Sequence, residues 1–185
     1  MKNIILASAS PRRRELLKRI VSQFDVVVSE YAEEETSLDA KGTVTLFARE
    51  KAREVFSRFP NSAVIGADTV VSLDGTVLGK PQDKEDAKRM LRRMSGRTHE
   101  VMTGVTLIVD GRERSFVSVS RVTFLPLPEE VISAYVESGL PLDKAGAYGI
   151  QDGYPLVKEY EGSYTNIVGF PVEDVRTLLQ EEKLC

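Results

Sequence analysis

The chain alternates between short apolar runs and longer stretches whose apolar residues recur every three to four positions. The short runs, rich in β-branched residues, predict strands, and the amphipathic stretches predict helices. The predicted strands are Ile4–Ala7, Phe24–Ser29, Ala63–Val71, Val77–Leu78, Val101–Val109, Ser115–Phe124, Pro155–Tyr160 and Tyr164–Val168. The predicted helices are Pro11–Ile20, Val44–Phe59, Asp83–Met94, Glu129–Val136 and Val172–Glu182. Because helices and strands are interleaved, the pattern predicts an α/β fold.

Two Asp-Gly pairs separate neighbouring strands and predict tight hairpins. Asp74-Gly75 and Asp110-Gly111 each follow a predicted strand, and Asp-Gly suits the positive φ angles of a two-residue hairpin turn. Hairpins add antiparallel strands to the sheet, so we expect it to be mixed rather than purely parallel. No internal repeat or clear linker divides the 185 residues, and we therefore expect one domain over residues 1–185.

Charge and cysteine content narrow the expected partners. The formal net charge is −3, which argues against a broad surface for nucleic acid or for an anionic membrane. No apolar stretch approaches the roughly 20 residues of a transmembrane helix. The single cysteine, Cys185, can form no internal disulfide, which favours a reducing compartment, so we expect a cytoplasmic protein with a small-molecule partner.

Three consecutive arginines follow the first predicted strand. Ser10 is suited to cap the next helix and Pro11 to occupy its first position, so Arg12, Arg13 and Arg14 fill the first turn. Cations are unfavourable there because a helix N-terminus already carries partial positive charge. A bound anion such as phosphate would remove this conflict. From this motif alone, arginines that point into water or pair with glutamates are equally supported.

A carboxylate interrupts the most apolar strand. Asp68 lies within Ala63–Val71, a run otherwise suited to burial on both faces. A buried carboxylate must be paired, bind a metal or be protonated, because an isolated buried charge costs several kcal/mol. Gly66 and Ala67 leave space for a ligand nearby. Asp68 could instead end a strand or accept backbone hydrogen bonds, but we favour a functional role.

Two lysines are further candidates. Lys51 falls within the apolar stripe of the helix Val44–Phe59, which directs its ammonium toward the interior or a cleft. From this pattern alone, a lysine that extends along the apolar surface into solvent is the preferred interpretation. Lys80, between Gly79 and Pro81, lies at a strand end, where a ligand-binding side chain and a solvated loop lysine are equally plausible.

Three other polar residues carry weaker signals. Glu33 lies in an acidic segment that could hold a hard cation through carboxylate oxygens, but such segments are usually solvated and its chemistry does not distinguish it from its neighbours. Gln151, in a loop loosened by glycines, offers an amide that could bind a nucleobase edge. His99 has no second histidine or internal cysteine to act with, so we expect a structural role for it.

Together these residues point to one class of reaction. Several cations that bind phosphates, with one or two carboxylates that bind a divalent ion and activate water, are suited to metal-assisted hydrolysis of a phosphoanhydride. The glycine-rich lysine loop of P-loop ATPases is absent from the sequence. We therefore expect a different kind of nucleotide hydrolase.

Seven motifs lie in order along nearly the whole chain. They are Ser8-Ala9-Ser10-Pro11-Arg12-Arg13, Arg49-Glu50-Lys51-Ala52, Gly66-Ala67-Asp68-Thr69-Val70-Val71, Gly79-Lys80-Pro81, Ser95-Gly96 with His99, Asp143 to Gln151, and Gly162-Ser163. Together they resemble the motifs of the Maf family of nucleoside triphosphate pyrophosphatases. The resemblance implies a Maf/ITPase-like fold, in which a mixed, twisted central sheet flanked by helices forms two lobes around a cleft. It also implies a cytoplasmic homodimer that uses Mg²⁺ or Mn²⁺, in addition to the expectation from net charge that the protein binds neither nucleic acid nor membrane.

The resemblance also implies roles for individual residues. Asp68 would activate water, with Glu33 beside it at the metal. Ser8, Arg12, Arg13, Lys51 and Lys80 would bind the triphosphate, whereas the positions that discriminate between substrates fall on Arg12, Thr69 and Gln151. The Asp-Thr pair and the stretch before Gln151 are similar to the subgroup that acts on dTTP and UTP, which favours a pyrimidine substrate.

Two other functions remain open at this level. A nucleotide-binding regulator of cell division would bind nucleotide without releasing products, and a phosphatase would release orthophosphate instead of pyrophosphate. The carboxylate within the expected anion site favours the pyrophosphatase over the regulator, because simple binding of an anion does not need a negative charge there.

Overall fold

The computed structural model describes all 185 residues, and a seven-stranded mixed sheet runs through its centre. In chain order the strands are β1 (Ile4–Leu6), β2 (Asp25–Val26), β3 (Ala63–Leu73), β4 (Thr76–Leu78), β5 (Thr98–Val109), β6 (Arg112–Phe124) and β7 (Val157–Glu161). The sheet order is β2-β1-β3-β5-β6-β7, with β4 paired to β3. β1 is parallel to β2 and β3, and the other pairs are antiparallel. The predicted α/β class and mixed sheet are confirmed.

Six α-helices and three short 3₁₀ turns complete the chain. The helices are α1 (Pro11–Leu17), α2 (Ala40–Arg58), α3 (Lys84–Met94), α4 (Glu129–Glu137), α5 (Tyr164–Val168) and α6 (Val172–Glu181). The 3₁₀ turns are Leu140–Asp143, Ala145–Ala147 and Ile150–Asp152. Side chains of Ser10, Asp39, Asp83 and Ser163 accept hydrogen bonds from the first-turn amides of α1, α2, α3 and α5. None of the helices combines the length and the apolar character needed to span a bilayer.

The core divides into two large apolar clusters that share the long strands. The first packs α1 and α6 against β1 and the first half of β3. The second packs α3, α4 and the loop around Tyr148 against the other ends of β3 and β5. Along β3, Ala67 belongs to the first cluster and Val71 to the second, so Asp68 and Thr69 lie where the clusters meet.

One edge of β3 is open between two short strands. On this edge β3 pairs with β1 as far as Ile65 and with β4 from Val71 onward. Residues 66–70 therefore have no strand partner on this side, although their other edge is paired with β5. Side chains of both faces of β3 are consequently accessible from a single opening.

The helix α2 lies unusually close to the sheet because two glycines face it. A Cβ atom built on Gly66 would lie 2.3 Å from the carbonyl oxygen of Ala48, and one on Gly104 would lie 2.4 Å from the carbonyl oxygen of Val44. Both distances are too short for a real carbon, so only glycine fits at these positions. The backbone of α2 therefore rests directly on β3 and β5.

One predicted element is wrong, and two others are at least three residues longer than the observed ones. Tyr164–Val168 forms helix α5 rather than a strand, with Ser163 as its N-cap. The β-branched and aromatic residues of this segment suggested a strand, but tertiary packing overrides so short a propensity signal. The strand predicted at Phe24–Ser29 is reduced to Asp25–Val26, and the first helix ends at Leu17 rather than Ile20.

Candidate active site

A cleft of about 840 Å³ opens beside the free edge of β3. Eight of the nine residues predicted for the site line it, namely Arg12, Arg13, Glu33, Lys51, Asp68, Thr69, Lys80 and Gln151. The ninth, Ser8, is not among the lining residues. Its hydroxyl accepts a hydrogen bond from the Ser10 amide at 3.1 Å and so shapes the turn before α1. Residues far apart in the sequence thus converge on one pocket.

Lys51 bridges two carboxylates at the cleft. Its Nζ lies 3.2 Å from Asp68 Oδ1 and 2.5 Å from Glu33 Oε1. Only 17% of the Lys51 side chain is exposed, so the preferred sequence interpretation, a lysine extending into solvent, is wrong. The contact also distinguishes Glu33 from the other glutamates of the acidic segment, which sequence chemistry alone could not do.

Asp68 is buried in an environment of opposing effects. Desolvation raises the pKa of the Asp68 carboxyl above its ordinary value, although the nearby charges of Lys51 and Arg13 act to lower it. The Oδ2 atom is buried without any hydrogen-bond partner. A buried carboxylate with one unpartnered oxygen and a raised pKa is suited to accept a proton from a bound molecule.

Arg13 is held in the cleft by two fixed partners. Its Nε donates to the Gly169 carbonyl at 2.9 Å, and its Nη2 donates to Thr69 Oγ1 at 3.0 Å. Burial lowers the pKa of the Arg13 guanidinium, against the opposing effect of the Asp68 charge. Arginine nevertheless stays protonated in proteins. A fixed cation therefore faces the cleft, and the alternative of a solvated side chain is wrong for Arg13.

Arg12 also faces the cleft, whereas Arg14 is exposed outside it. Arg12 Nη1 donates to Asp143 Oδ2 at 3.1 Å. Burial alone would raise the pKa of Asp143, but hydrogen bonds from Arg12 and Lys144 lower it below its ordinary value. The three arginines therefore differ, since two of them provide positive charge to the cleft.

Thr69 connects Arg13 to a buried polar chain that sequence reasoning missed. The Thr69 and Thr103 hydroxyls lie 2.8 Å apart, and Thr103 Oγ1 donates to the Asn166 carbonyl at 3.4 Å. Thr103 is fully buried in β5. The alternating pattern of this segment predicted strand β5, but nothing in the sequence indicated that the Thr103 hydroxyl would approach the site.

Lys80 and Gln151 also line the cleft. Both side chains are exposed, and Lys80 forms no ion pair. The Gly146 amide donates to the Gly79 carbonyl at 3.0 Å, which ties the strand end before Lys80 to the loop that leads to Gln151. A free ammonium and a free amide therefore remain available for a ligand.

The donor set near Asp68 fits a hard divalent cation. Glu33 and Asp68 present two carboxylates linked through the same lysine, and Asp68 Oδ2 has no partner within the protein. No group of three or more histidine, cysteine or acidic side chains is suited to enclose a metal ion. Magnesium is commonly bound through only one or two carboxylates, with phosphate oxygens and water as the remaining ligands.

A family model described as Maf-like protein matches residues 3–182 of the chain. The chain belongs to the Maf family. Several curated relatives align with nearly the full length of the chain. A dTTP/UTP pyrophosphatase of Carboxydothermus hydrogenoformans is 49% identical over 96% of this chain and 97% of the relative. A dTTP/UTP pyrophosphatase of Thermococcus gammatolerans is 52% identical over 92% and 91%, respectively. One of Bacillus velezensis is 44% identical over 97% and 96%.

A solved structure supports the fold independently of these relatives. The structure of the Staphylococcus aureus Ham1 protein matches with a TM-score of 0.57 at 16% identity, and covers 98% of this chain and all of the other. At this level of identity the similarity concerns the fold alone. This Maf family member therefore shares its architecture with the Ham1 protein, as the sequence motifs implied.

His99 of this Maf family member lies behind the cleft rather than in its lining. Its ring is 2% exposed and packs edge-on against Phe124 and Tyr148. His99 Nε2 lies 2.7 Å from the Tyr148 hydroxyl. Burial lowers the pKa of the imidazole to about 4, so the ring is neutral near pH 7. These contacts agree with the structural role expected from the sequence.

Proposed function

We propose that this protein is a nucleoside triphosphate pyrophosphatase that hydrolyses dTTP and UTP to the monophosphate and pyrophosphate. The observation that carries the proposal is the Asp68 carboxylate, buried with a free oxygen at a cleft that is also lined by Arg12, Arg13, Lys51 and Lys80. The dTTP/UTP pyrophosphatase names of relatives at 44–52% identity support the choice of substrate.

The cations bind the triphosphate in this proposal. Arg12 and Arg13 offer guanidinium donors at the start of α1, and Lys51 and Lys80 offer ammonium groups from the other sides of the cleft. Their positive charges stabilise the negative charge that accumulates on the phosphate oxygens during cleavage. Ser8 contributes by shaping the turn before α1, through its hydrogen bond to the Ser10 amide.

Asp68 accepts the proton of the attacking water. The water oxygen forms a bond to phosphorus while the anhydride bond between the α- and β-phosphates breaks, and pyrophosphate leaves. Because burial raises its pKa, the Asp68 carboxylate is a stronger base than an exposed aspartate. Lys51 lies 3.2 Å from Asp68 Oδ1 and holds the carboxylate in place.

Glu33 and Asp68 would hold Mg²⁺ or Mn²⁺. When bound, the ion would neutralise phosphate charge and make the phosphorus more electrophilic. Lys51 Nζ is within 3.2 Å of both carboxylates. Its positive charge therefore reduces the repulsion between them.

The base of the nucleotide binds on the side of Gln151 and Thr69. The Gln151 amide offers both a donor and an acceptor, which matches the edge of thymine or uracil. Thr69 is fixed by Arg13 and Thr103, so its position couples the phosphate site to the base site. Arg12 contributes to discrimination through its position at the junction of the two.

Product analysis tests this proposal. The purified protein is incubated with Mg²⁺ or Mn²⁺ and a panel of canonical triphosphates, and products are separated by ion-exchange chromatography. We expect dTMP or UMP with pyrophosphate, and higher kcat/KM for dTTP and UTP than for purine triphosphates. Release of orthophosphate would indicate a phosphatase instead. Tight binding without any product would favour a nucleotide-binding regulator.

The proposal extends to a cytoplasmic homodimer that acts on free nucleotides. The net charge of −3 argues against a broad basic surface for nucleic acid or membranes, and the free Cys185 is compatible with a reducing compartment. Light scattering coupled to size-exclusion chromatography measures the assembly, with about twice the 20.5 kDa chain mass expected. A mass of one chain at micromolar concentration would contradict the dimer.

A further inference from the structure

The turn that presents Gln151 has little regular structure to support it. Gln151 is the central residue of a three-residue 3₁₀ turn, Ile150–Asp152, on the wall of the cleft. Gly149 precedes this turn, and Gly153, with φ of +81°, follows it. Glycines on both sides leave the backbone free to adopt many conformations. Some other interaction must therefore hold the turn in one position.

The Tyr135 hydroxyl bonds the turn on both sides of Gln151. It accepts a hydrogen bond from the Gly149 amide at 2.8 Å and donates one to Asp152 Oδ2 at 2.6 Å. Tyr135 is fully buried in α4, a regular helix of the second core cluster. One hydroxyl thus connects a fixed helix to the residues that flank the turn.

Lys144 extends this connection to the other end of the cleft. Its Nζ lies 3.4 Å from Asp152 Oδ2 and 3.1 Å from Asp143 Oδ1, and donates to the Leu140 carbonyl at 2.6 Å. The second oxygen of Asp143 accepts the hydrogen bond of Arg12. A continuous polar network therefore runs from Tyr135 to Arg12.

Side chains of this network pack closely around Gly149. A Cβ atom built there would lie 2.8 Å from Lys144 Cε and 2.9 Å from both Asp152 Oδ2 and Gln151 Nε2. Gly149 has an ordinary negative φ of −121°, so the backbone here does not itself require glycine. A methyl group at this position would displace the ends of these three side chains.

We propose that Tyr135 is a positioning residue for base recognition. Its hydroxyl holds the Gln151 turn in the conformation that binds the nucleobase, and it contacts neither the base nor the phosphates itself. This inference rests on the proposed function only in naming the nucleobase as the group that Gln151 binds. Its effect is concentrated at the base end, because Arg13 and Lys51, which bind the phosphates, lie outside this network.

The test compares Tyr135→Phe with Tyr154→Phe. The Tyr154 ring packs 4.6 Å from that of Tyr135, but its hydroxyl forms no hydrogen bond, so it is a matched control. We expect Tyr135→Phe to raise KM for dTTP about tenfold and to change kcat by less than about twofold. Inhibition by inorganic tripolyphosphate, which has no base, should be unchanged. Tyr154→Phe should match the wild type in all three measurements.

Hydrogen exchange provides a readout that does not depend on substrate. Amides of residues 149–153 should exchange about tenfold faster in Tyr135→Phe than in the wild type, while those of β3 and α2 stay unchanged. Unchanged exchange at 149–153, or an unchanged KM for dTTP, would overturn the inference. An equal loss of tripolyphosphate inhibition would also overturn it. A wild type that hydrolyses no triphosphate would refute the proposed function. The exchange measurement would still test whether the Tyr135 hydroxyl holds the turn at residues 149–153.

Discussion

The two sides of the cleft are built in different ways. On the phosphate side, Lys51 projects from the long helix α2 and Asp68 from the long strand β3, so backbone hydrogen bonds of regular structure fix both. On the base side, Gln151 projects from a three-residue turn, and side-chain bonds of Tyr135, Lys144 and Asp152 hold that turn. Asp68 and its partner Lys51 thus belong to the rigid frame, whereas base recognition belongs to a loop held by side-chain hydrogen bonds.

This contrast separates catalysis from specificity. Groups that move protons need fixed geometry, and positions on helices and strands of a packed core provide it. A loop held by a few side-chain bonds changes more easily, so a substrate preference can change while the reacting groups stay in place. We therefore expect substitutions on the phosphate side to lower kcat and those on the base side to raise KM.

The largest effect is expected for Asp68→Asn. Without a base, turnover of dTTP should fall about 10³-fold, measured as kcat by pyrophosphate release. Folding should not suffer. Burial raises the pKa of Asp68 in the folded state, so the charged carboxylate opposes folding above that pKa and the neutral amide removes this cost. The melting temperature at pH 7 should therefore be unchanged or higher.

A matched control and a pH profile complete this test. Asp110→Asn changes an exposed aspartate in the β5–β6 hairpin and should leave turnover unchanged. In the wild type, kcat/KM should decline as the pH falls toward a pKa above the ordinary value of 3.8, because protonated Asp68 cannot accept a proton. Turnover retained in Asp68→Asn would remove Asp68 from this role and break the contrast on its phosphate side.

The second effect is a loss of folding stability at low pH. It is caused by His99, which packs against Tyr148 on the base side of the cleft. His99 has a pKa of about 4 when folded, against an ordinary 6.5. As the pH falls from 6.5 to 4, His99 becomes protonated in the unfolded chain but stays neutral in the folded protein. Protonation therefore stabilises the unfolded state, and folding stability decreases over that range. Relative to His99→Gln, the free energy of unfolding of the wild type should fall by about 3 kcal/mol between pH 7 and pH 4.

Chemical denaturation at each pH measures this difference. If both proteins lose stability equally on acidification, His99 does not titrate with the lowered pKa. The support of Tyr148 would then differ from the one described here.

The smallest effect is expected for Thr103→Val, which removes the hydroxyl that contacts Thr69 without changing the side-chain shape. Arg13 keeps its bond to the Gly169 carbonyl, and β3 keeps its ladder. KM for dTTP should therefore rise only about threefold, less than in Tyr135→Phe. Steady-state kinetics with dTTP measure the change.

Two variants control for burial and for shape. Thr103→Ser retains the hydroxyl and should resemble the wild type. Thr106→Val removes another fully buried hydroxyl from β5, one that bonds to Ser115 instead, and it should have no effect on KM. A larger effect of Thr103→Val than of Tyr135→Phe would contradict the division between frame and loop.

The sequence predicted the frame well for a physical reason. Asp68 stood out because it interrupts an apolar strand, so local periodicity was enough to select it. Lys51 interrupts a helical stripe, but that pattern alone favoured a lysine extending into solvent, and its site role came from the motif resemblance. The hairpin between β5 and β6 followed from Asp110-Gly111 in the same way. The roles of Glu33 and Thr69 came from motif resemblance, since neither residue breaks a local pattern.

The base side could not be predicted to the same depth. Gln151 was a weak candidate by its own chemistry, and nothing around Tyr135 or Thr103 indicated a contact with the site. Tyr135 occupies an ordinary apolar position of α4, and only the fold brings its hydroxyl to Gly149, 14 residues away. Such long-range side-chain contacts leave no periodic trace. The misassigned helix α5 has the same cause, because its environment outweighs the residues it contains.

The absence of side chains at Gly66 and Gly104 determines how close α2 lies to the sheet, and therefore how close Lys51 lies to Asp68. A methyl group at either position would push α2 away from the sheet, and the Lys51 amine would move away from the Asp68 carboxylate with it. Transplanting the charged residues onto another α/β scaffold would therefore not reproduce the site. A designer would first have to copy a helix-to-sheet spacing determined by two positions with no chemistry of their own.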